Sequence, residues 1–481
     1  MSDAAEVRTK ITDKSIFRER IEALVFGEDP PQITVDGVIC AFRNISMGGT
    51  YVTTPPQVPV LEPRAEVSLR VAMEDEVLYG GPAYVVRSEE APLGRAVALE
   101  VAEGFIDISR LKDLSALASM KRAAASYRSG RSKIPSEFSV ALEAIVDFHR
   151  YYRAMLAPKE DAIRVEGART EDALIDLASS ARDLMIDQWH ELRDRAAAAA
   201  LPHANDEATW MQMKRATERQ LTHELMGAPL VERAYRKPLL YAGDFRTMTF
   251  IYRNELEGRS VTDRIFHWFA GNEALAEGVR TRKGMMKQLI IDEEARVAAL
   301  DRRPLRVTSL GCGPALEVRE LAHDESWSGE VTWTLVDQEV RALSIAYGDN
   351  FAALRRPGRN RGDIRCLNLT LRNILKERWM PSERQDFIYA AGLFDYLSTE
   401  VATRLITLLA SNLAPGGLIA IGNARVDPVN YWMTEFVVDW KLLYRTEPEM
   451  FALVEGLKAD FDVKLVMEPA KAYWFLLLRR R

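Results

Sequence analysis

The sequence of 481 residues has few cysteines and few histidines. Its three cysteines, Cys40, Cys312 and Cys366, lie far apart along the chain. Such isolation fits a reducing compartment and argues against disulfides or a cysteine zinc site. His190 and His223 each precede a glutamate, but neither is followed by the second histidine of the H-E-x-x-H zinc motif. We therefore expect no metal centre.

The sequence also lacks a long apolar run and an excess of positive charge. No apolar segment approaches the length of about 18 residues that a membrane span requires, and the N-terminal residues lack the apolar core of a signal peptide. Lys and Arg number 64 against 70 Asp and Glu, so the net charge of −6 gives no reason to expect nucleic acid as a partner. These features predict a cytoplasmic protein without a membrane span, and the length is sufficient for several domains.

Phosphate-binding glycine loops are absent as well, although a glycine-rich turn is present. Residues 307–316, VTSLGCGPAL, read as a strand that enters a tight turn. The turn is not the G-x-x-x-x-G-K-[ST] loop, and Leu316 stands where the dinucleotide motif has glycine or alanine. A second strand over 331–336 ends in Asp337, 24 positions after Gly313 (337 − 313). A carboxylate there can accept hydrogen bonds from both hydroxyls of a ribose, which predicts a nucleoside ligand without phosphates. The alternative is an α/β core with a chance glycine turn.

The glycine turn and the acidic residue resemble motif I and the acidic loop of class I S-adenosylmethionine-dependent methyltransferases. The rest of the chain fits, because it continues with predicted strands and a C-terminal hairpin: 363–370, 386–394, 418–422, 461–467 and 472–479. A parallel sheet closed by such a hairpin is similar to the seven-stranded methyltransferase sheet and not to a dehydrogenase sheet. The resemblance implies a methyltransferase with S-adenosyl-L-methionine as its cofactor.

The carboxyl ends of the predicted strands supply the cofactor-binding candidates. In open α/β sheets, ligands bind beyond these ends, where the strand order reverses. This rule brings the glycine turn, the acidic loop and the loops after the third and fourth strands to one crevice, and the amide of Asn368 is expected to meet adenine. The candidates are Gly311, Cys312, Gly313, Asp337, Gln338, Asn368, Leu369, Gly392 and Leu393.

Helical periodicity dominates residues 137–300 and predicts a helical domain before the sheet. Residues 236–248 interrupt it with a proline, a glycine and an aspartate, and Tyr241 and Phe245 flank the break. A loop between helices is one interpretation. The other is a lid that closes over the cofactor and excludes water. The lid interpretation adds Tyr241 and Asp244 to the cofactor-binding candidates.

Further motifs narrow the resemblance. Residues 241–244 (YAGD), 391–398 (AGLFDYLS), 415–417 (PGG) and 422–425 (GNAR) are similar to bacterial methyltransferases of extracellular factor 3-hydroxypalmitic acid methyl ester biosynthesis. The similarity covers residues 137–481. It implies O-methylation of the carboxylate of a fatty acid or another small acid, which would be the substrate partner.

The loops after the fourth and fifth strands supply most of the catalytic candidates, which are Tyr241, Asp395, Tyr396, Asn423 and Arg445. The guanidinium of Arg445 is suited to a bidentate clamp on an acceptor carboxylate. The alternative for Arg445 is a salt bridge to Asp439 or Glu435. No histidine follows His323, and this favours an acceptor that is already ionised and needs no general base.

The first part of the chain reads as a small antiparallel barrel. Short alternating strands are predicted at 22–26, 37–43, 49–53, 66–71, 80–87 and 95–101. Asn44, Ser46 and Gly49 resemble the [DN]-x-S-x-x-G element of PilZ domains, which bind cyclic di-GMP. A helix over 107–125 and a basic linker over 127–135 are expected to follow.

The arginine half of the PilZ element is incomplete in this sequence. The family has an R-x-x-x-R segment upstream, but Glu22 and Leu24 stand four residues after Arg18 and Arg20. Paired guanidinium groups would grip guanine edges and phosphates. We therefore predict weak or absent binding of cyclic di-GMP. The other interpretation is a barrel that docks on another domain or forms a homodimer.

These observations predict a multidomain chain: 1–112 a PilZ-like barrel, 113–136 a helix and linker, 137–300 a helical cap or substrate domain, and 301–481 a class I methyltransferase domain. Two further functions compete with small-molecule methylation. One is a protein or RNA methyltransferase that docks its substrate on the helices, and the other is a non-catalytic effector that responds to cyclic di-GMP. Net acidity counts against RNA, and the intact set of Gly311, Gly313 and Asp337 counts against an inactive pocket.

Overall fold

The computed structural model describes residues 21–22, 26, 30–56, 58–91, 94–130, 134–167, 169–301, 303–356, 359–360, 362–377, 383–426 and 432–481. The chain divides into two compact units, Met1–Ser132 and Lys133–Arg481. Arg18, Arg20 and Leu24, which bear on the predicted arginine element, lie outside the described residues.

The first unit contains the predicted barrel. Its strands are β1 (Ile21–Glu22), β2 (Gln32–Val35), β3 (Val38–Ser46), β4 (Gly49–Thr54), β5 (Glu66–Met73), β6 (Glu76–Ala91) and β7 (Gly94–Val101). In the described part of the chain, six strands close in the order β3-β2-β5-β6-β7-β4, because β4 pairs back onto β3, and β1 extends the ladder of β3. Alternate apolar side chains such as Ile33 and Val35 fill the interior. The closed antiparallel barrel is confirmed.

Two features of this unit differ from the prediction. Strand β2 was not predicted, although its four residues alternate polar and apolar side chains. Most of the strand predicted over 22–26 lies outside the described residues. The helix extends over Ile108–Gly130, whereas a linker was expected from residue 127. Residues 126–129 contain no proline or glycine, so the helix runs on to Gly130, which is a poor helix former.

The second unit contains a mixed sheet. Its strands are β8 (Leu305–Leu310), β9 (Val331–Asp337), β12 (Gly362–Asn368), β13 (Gln385–Ala390), β14 (Leu413–Ala424), β15 (Phe461–Met467) and β16 (Tyr473–Arg480), and a short hairpin β10 (Arg355–Arg356) and β11 (Arg359–Asn360) precedes β12. Among the described residues the order is β12-β9-β8-β13-β14-β16-β15. The first five strands are parallel and β16 is antiparallel to both neighbours. The predicted parallel sheet with a C-terminal hairpin is confirmed.

Helices precede the sheet and cover it. Those before the sheet are Ser136–Glu166, Thr170–Ala200, Glu207–Gln220, Pro229–Arg236, Phe245–Arg253, Val261–Gly271 and Ala274–Asp301; those between and after the strands are Leu316–His323, Val340–Leu354, Leu371–Glu377, Thr399–Ser411 and Glu447–Ala452. Single turns lie at Leu201–His203, Thr222–Leu225, Phe394–Tyr396 and Glu455–Leu457, and Trp432–Val437 is π-helical. None of the described helices is both long and apolar enough to cross a membrane.

The helices before the sheet share one hydrophobic core with the sheet. Phe138 and Trp189 from the helices belong to the same buried cluster as Val307 and Trp333 from the strands. Trp189 stacks on Phe269 with ring centroids 5.3 Å apart, and its indole N–H donates to a buried glutamate. The predicted helical segment is therefore continuous in its packing with the sheet.

Candidate functional site

The glycine turn after β8 is left-handed at both glycines. Gly311 has φ +62° and Gly313 has φ +53°, a region that favours residues without a Cβ. A Cβ built on Gly313 would meet nothing within 4 Å, and one on Gly311 would meet only the Cβ of Leu393 at 3.7 Å. The turn is fixed by the N–H of Gly311, which donates to the carbonyl of Val336 at 2.8 Å. The backbone of the turn therefore faces open space.

Asp337 closes the turn from the end of β9. Its Oδ2 accepts the N–H of Gly313 at 2.8 Å, and its Oδ1 accepts the N–H of Glu339 at 2.9 Å. Burial raises the pKa of Asp337 and the backbone N–H groups oppose that rise. Because each carboxylate oxygen has a second lone pair, Asp337 can still accept hydrogen bonds from a ligand.

The turn opens into a cavity of about 370 Å³ within the second unit. This volume is in the usual range for a small-molecule site. Ten of the residues predicted from the sequence line the cavity together: Tyr241, Gly311, Cys312, Gly313, Asp337, Gln338, Leu369, Gly392, Leu393 and Tyr396. The rule on strand ends therefore brought most of the candidates to one place.

The segment between the helices Pro229–Arg236 and Phe245–Arg253 forms one wall of this cavity. Tyr241 and Gly243 line it. A Cβ on Gly243 would lie 2.5 Å from the ring of Trp440 and 2.6 Å from the hydroxyl of Tyr396. The indole N–H of Trp440 donates to that hydroxyl at 2.9 Å. The absence of a side chain at Gly243 is what allows the wall to close.

Asp244 does not line the cavity, in contrast to the predicted cofactor contact. It is fully buried and caps the helix Phe245–Arg253, where it accepts the N–H groups of Arg246 at 2.9 Å and Thr247 at 3.0 Å. Its other oxygen pairs with the guanidinium of Arg233 at 2.7 Å. An aspartate before a helix is a favoured N-cap, so Asp244 orients the wall segment from behind.

Asp395, Asn423 and Arg445 also lie behind the wall and not among the lining residues. Arg445 donates to the carbonyl of Phe394 at 3.0 Å, to the carbonyl of Leu397 and to the side-chain oxygen of Asn423. Asp395 accepts the N–H of residue 424, and burial raises its pKa to about 6. The five N–H donors of a guanidinium suit this capping of a single helical turn.

Two further expectations about hydrogen bonds differ from the structure. The salt bridge that was the alternative for Arg445 is absent among the described residues. Asp439 pairs instead with Lys214 at 3.1 Å and Lys237 at 2.7 Å, and Glu435 accepts the indole N–H of Trp210 at 3.4 Å. The amide of Asn368 donates to the carbonyls of Asp337 at 3.1 Å and Gln338 at 2.7 Å, and Asn368 is not a lining residue. Its amide therefore holds the acidic loop in place.

The cavity also contains polar residues that the sequence did not single out as site residues. They include Tyr252, Arg282, Lys283, Ser309, Glu317 and Tyr389. The hydroxyl of Tyr389 donates to Oε1 of Glu317 at 2.6 Å, and burial raises the pKa of Glu317. Glu317 had a local signal, since it stands in the first turn of the helix after the glycine turn. Arg282 had none, because its role depends on the register of a long helix against the sheet.

The tyrosines of the cavity are hydrogen-bond donors at neutral pH. Burial raises the pKa of Tyr252 to about 12. Burial followed by the charge of Asp337 raises the pKa of Tyr241, and burial also raises the pKa of Tyr396. A protonated tyrosine can orient a polar ligand group but is a poor general base.

Two histidines of the helices before the sheet, His223 and His267, are not among the lining residues. His267 accepts the N–H of Leu230 at 3.1 Å through Nδ1, and burial lowers its pKa to about 4. His223 is exposed and packs edge-on against Tyr235. Among the described residues that line the cavity there is no histidine.

Comparison with known proteins gives partial likenesses. No family model and no curated protein sequence matches the chain. A possible exported protein from Bordetella parapertussis is 17% identical, with a TM-score of 0.40 over 56% of this chain and 95% of the other. Magnesium protoporphyrin IX methyltransferase from Synechocystis with bound S-adenosylmethionine is 14% identical, with a TM-score of 0.31 over 44% of this chain and 85% of the other.

An N-methyltransferase from Bradyrhizobium japonicum in complex with S-adenosyl-L-homocysteine is 17% identical, with a TM-score of 0.28 over 41% of this chain and 86% of the other. All three TM-scores are below 0.5. We therefore base the functional conclusion on the strand order and on the geometry of the cavity.

Proposed function

We propose that the protein is an S-adenosylmethionine-dependent methyltransferase. The observation that carries this proposal is the bond from Gly313 N–H to Asp337, which joins a left-handed glycine turn to a carboxylate at the end of the next strand. In the described structure a Cβ on Gly313 would meet nothing within 4 Å, so the turn is open towards the cavity. The turn also lies where the strand order reverses, between β8 and β13. Ligands of open α/β sheets bind at that position.

The residues present fit the nucleoside part of this cofactor. Asp337 accepts hydrogen bonds and suits ribose hydroxyls, and Leu369, Leu371 and Ile374 give the cavity an apolar side for an adenine ring. When bound, S-adenosylmethionine supplies a sulfonium methyl group for displacement by an acceptor. The chain contributes alignment of the two centres within a closed wall, an effect worth about 7–11 kcal/mol.

We further propose that the acceptor is the carboxylate of a fatty acid or another small acid. A carboxylate is ionised at neutral pH and needs no base, which agrees with a described lining that has protonated tyrosines and no histidine. Phe245, Met248 and Met286 add apolar surface to the lining. The resemblance to the methyl ester biosynthesis family supports the same class of acceptor.

For the barrel we propose a docking or dimerisation role, with weak or absent binding of cyclic di-GMP. The element of Asn44, Ser46 and Gly49 is used by the turn itself, since Ser46 donates to the carbonyl of Gly49 at 3.3 Å and Thr50 donates to the carbonyl of Asn44 at 2.9 Å. Arg43 donates to Thr53 and lies over the ring of Tyr51. These contacts all lie within the barrel, and they support an explanation of the motif by the stability of the barrel and not by a ligand.

Calorimetry with S-adenosylhomocysteine tests the main proposal. Wild type is compared with Asp337→Ala and Asp337→Asn, the latter because an amide oxygen still accepts from Gly313. Loss of a charge-assisted hydrogen bond to ribose is expected to weaken binding by about 1.5–3 kcal/mol, which is roughly ten- to a hundredfold. Asp349→Asn is the matched control, since Asp349 is exposed on the helix Val340–Leu354. Equal affinity in wild type and Asp337→Ala, with both proteins folded, would refute the assignment.

A further inference from the structure

Arg282 occupies an unusual position in the second unit. It lies on the helix Ala274–Asp301, lines the cavity and is only 7% exposed. Its guanidinium lies 4.5 Å from the centre of the Tyr473 ring. A Cβ on Gly392 would come within 2.6 Å of its Nη2, so this glycine, two residues after β13, leaves room for the side chain of Arg282. The backbone around the cavity is shaped to admit the guanidinium.

In the part of the chain that the structure describes, the buried guanidinium of Arg282 is left largely without hydrogen-bond partners. Its Nε and Nη1 have no hydrogen-bond partner among the described residues. The other arginine buried near the cavity wall, Arg445, is similarly buried at 4% exposure but donates to two carbonyls and an amide oxygen. Arg264, buried on another helix, also has an Nε without a hydrogen-bond partner, but its two Nη atoms donate to Glu171 at 2.7 and 2.9 Å. Of these three arginines, Arg282 therefore has the fewest polar contacts in the described part of the chain.

A buried guanidinium without a partner is unfavourable. Arginine stays protonated in proteins, so it cannot escape the penalty by losing its charge. The ring of Tyr473 offsets part of the cost through a cation–π contact. Asp395 acts on Arg282 by its charge but is bonded to the backbone at residue 424. An anion in the cavity that accepted hydrogen bonds from the guanidinium would compensate the remaining cost.

The planar guanidinium and the charges around the cavity favour a carboxylate as the anion. A guanidinium binds a carboxylate through two parallel hydrogen bonds. The cavity has no phosphate loop, and its other cation, Lys283, is paired with Glu320. The carboxylates of Asp337 and Glu317 also line it, which would repel an anion of higher charge.

We propose that Arg282 is the binding residue for a carboxylate group held inside the cavity. The inference rests on the proposed function, which brings two such groups to the cavity, the methionine carboxylate of the cofactor and the carboxylate of the acceptor acid. Both share the chemistry that Arg282 recognises. The experiment distinguishes them.

Calorimetry on the full chain compares wild type with Arg282→Gln and Arg282→Met, using three probes. S-Adenosylhomocysteine carries the amino-acid carboxylate, 5′-methylthioadenosine has the same nucleoside thioether without it, and hexadecanoate is added to protein saturated with S-adenosylhomocysteine. If Arg282 holds the cofactor, S-adenosylhomocysteine weakens by roughly tenfold or more and 5′-methylthioadenosine does not. If it holds the acceptor, only hexadecanoate weakens. Arg296→Gln, on the same helix and paired with Glu293, is expected to change none of the three affinities.

Thermal unfolding of the ligand-free variants provides a second measurement. Arg282→Met removes an uncompensated charge and keeps much of the volume, so its melting temperature is expected to rise above that of wild type. A structural arginine would give a lower melting temperature. Unchanged affinity for all three probes in both variants, or a lower melting temperature in Arg282→Met, would overturn the proposal. If wild type bound neither nucleoside, the proposed function would fail, while hexadecanoate titrated into the ligand-free protein and the melting temperature would still decide the role of Arg282.

Discussion

The barrel and the sheet each contain a glycine-bearing turn that resembles a nucleotide-binding motif, but the two turns use their glycines differently. A Cβ on Gly49 in the barrel would lie 2.0 Å from the carbonyl oxygen of Leu99. A Cβ on Gly313 in the sheet would meet nothing within 4 Å. The first glycine is required by the protein's own backbone, and the second leaves a space that the protein does not fill.

This difference separates a structural motif from a binding motif. Gly49 allows β4 to pair with β7 at Glu100, so selection for a stable barrel is sufficient to explain it. Gly313 adopts a positive φ and donates to Asp337 at the rim of a cavity. A glycine pattern in a sequence therefore indicates a ligand only when the turn faces open space.

The substitution Gly49→Ala is expected to have the largest effect. The methyl group would overlap a carbonyl that is held in the β4–β7 ladder, and we expect a loss of about 3 kcal/mol or more in the free energy of unfolding of the barrel. Gly37→Ala is the control for a substitution without a clash, because a Cβ at Gly37 meets nothing within 4 Å and its positive φ of 79° adds only backbone strain. Chemical denaturation measures both. An equal loss of unfolding free energy in the two variants would show that the close approach of Leu99 to Gly49 does not decide the stability of the barrel.

The substitution Gly313→Ala is expected to act mainly on the ligand. The left-handed conformation of alanine costs about 1–2 kcal/mol of folding stability, and the methyl group enters the space where a ligand would approach the backbone. Affinity for S-adenosylhomocysteine should fall by about tenfold or more. Gly284→Ala, in an exposed helical position with nothing within 4 Å of its Cβ, should leave that affinity unchanged. A Gly313→Ala protein that binds as well as wild type would show that the open space is not a ligand site.

The smallest of the expected effects is the binding signal on addition of cyclic di-GMP to the protein. Each charge-assisted contact contributes about 1.5–3 kcal/mol, and the arginine half of the element is incomplete, with Arg18, Arg20 and Arg43 as the nearby candidates to compensate. Titration into the full chain should therefore give no saturation below about 100 μM, with cyclic di-AMP as the control. A sub-micromolar dissociation constant that Arg20→Ala abolishes would contradict this prediction and make the barrel a second-messenger receptor.

Several strands and turns could be predicted because short stretches of sequence determine them. The strand before the glycine turn, the acidic end of β9 and the C-terminal hairpin β15–β16 follow from short apolar runs and a proline-containing turn. Once the strand order is set, the rule on carboxyl ends brings Asp337 and Gly392 to one cavity. These inferences need no knowledge of distant contacts.

The polar residues of the site were harder to predict, because burial and partners decide their role. Asp395 and Arg445 stand in loops after strands, as ligand-binding residues do, yet the structure uses them to hold the turn Phe394–Tyr396. Arg282 stands in the middle of a long helix, where arginine is usually solvated, and only the packing of that helix on the sheet brings it to the cavity. Sequence spacing does not encode that packing.

The common core of the helices and the sheet limits how this chain can change over evolution. Because Phe138 and Trp189 are packed in the same buried cluster as Val307 and Trp333, the helical segment cannot be exchanged for an unrelated one without exposing one face of the sheet. New acceptor specificities would then arise by point substitutions around the cavity, whereas recombination of whole modules would be restricted to the junction between the two compact units, at Ser132 and Lys133.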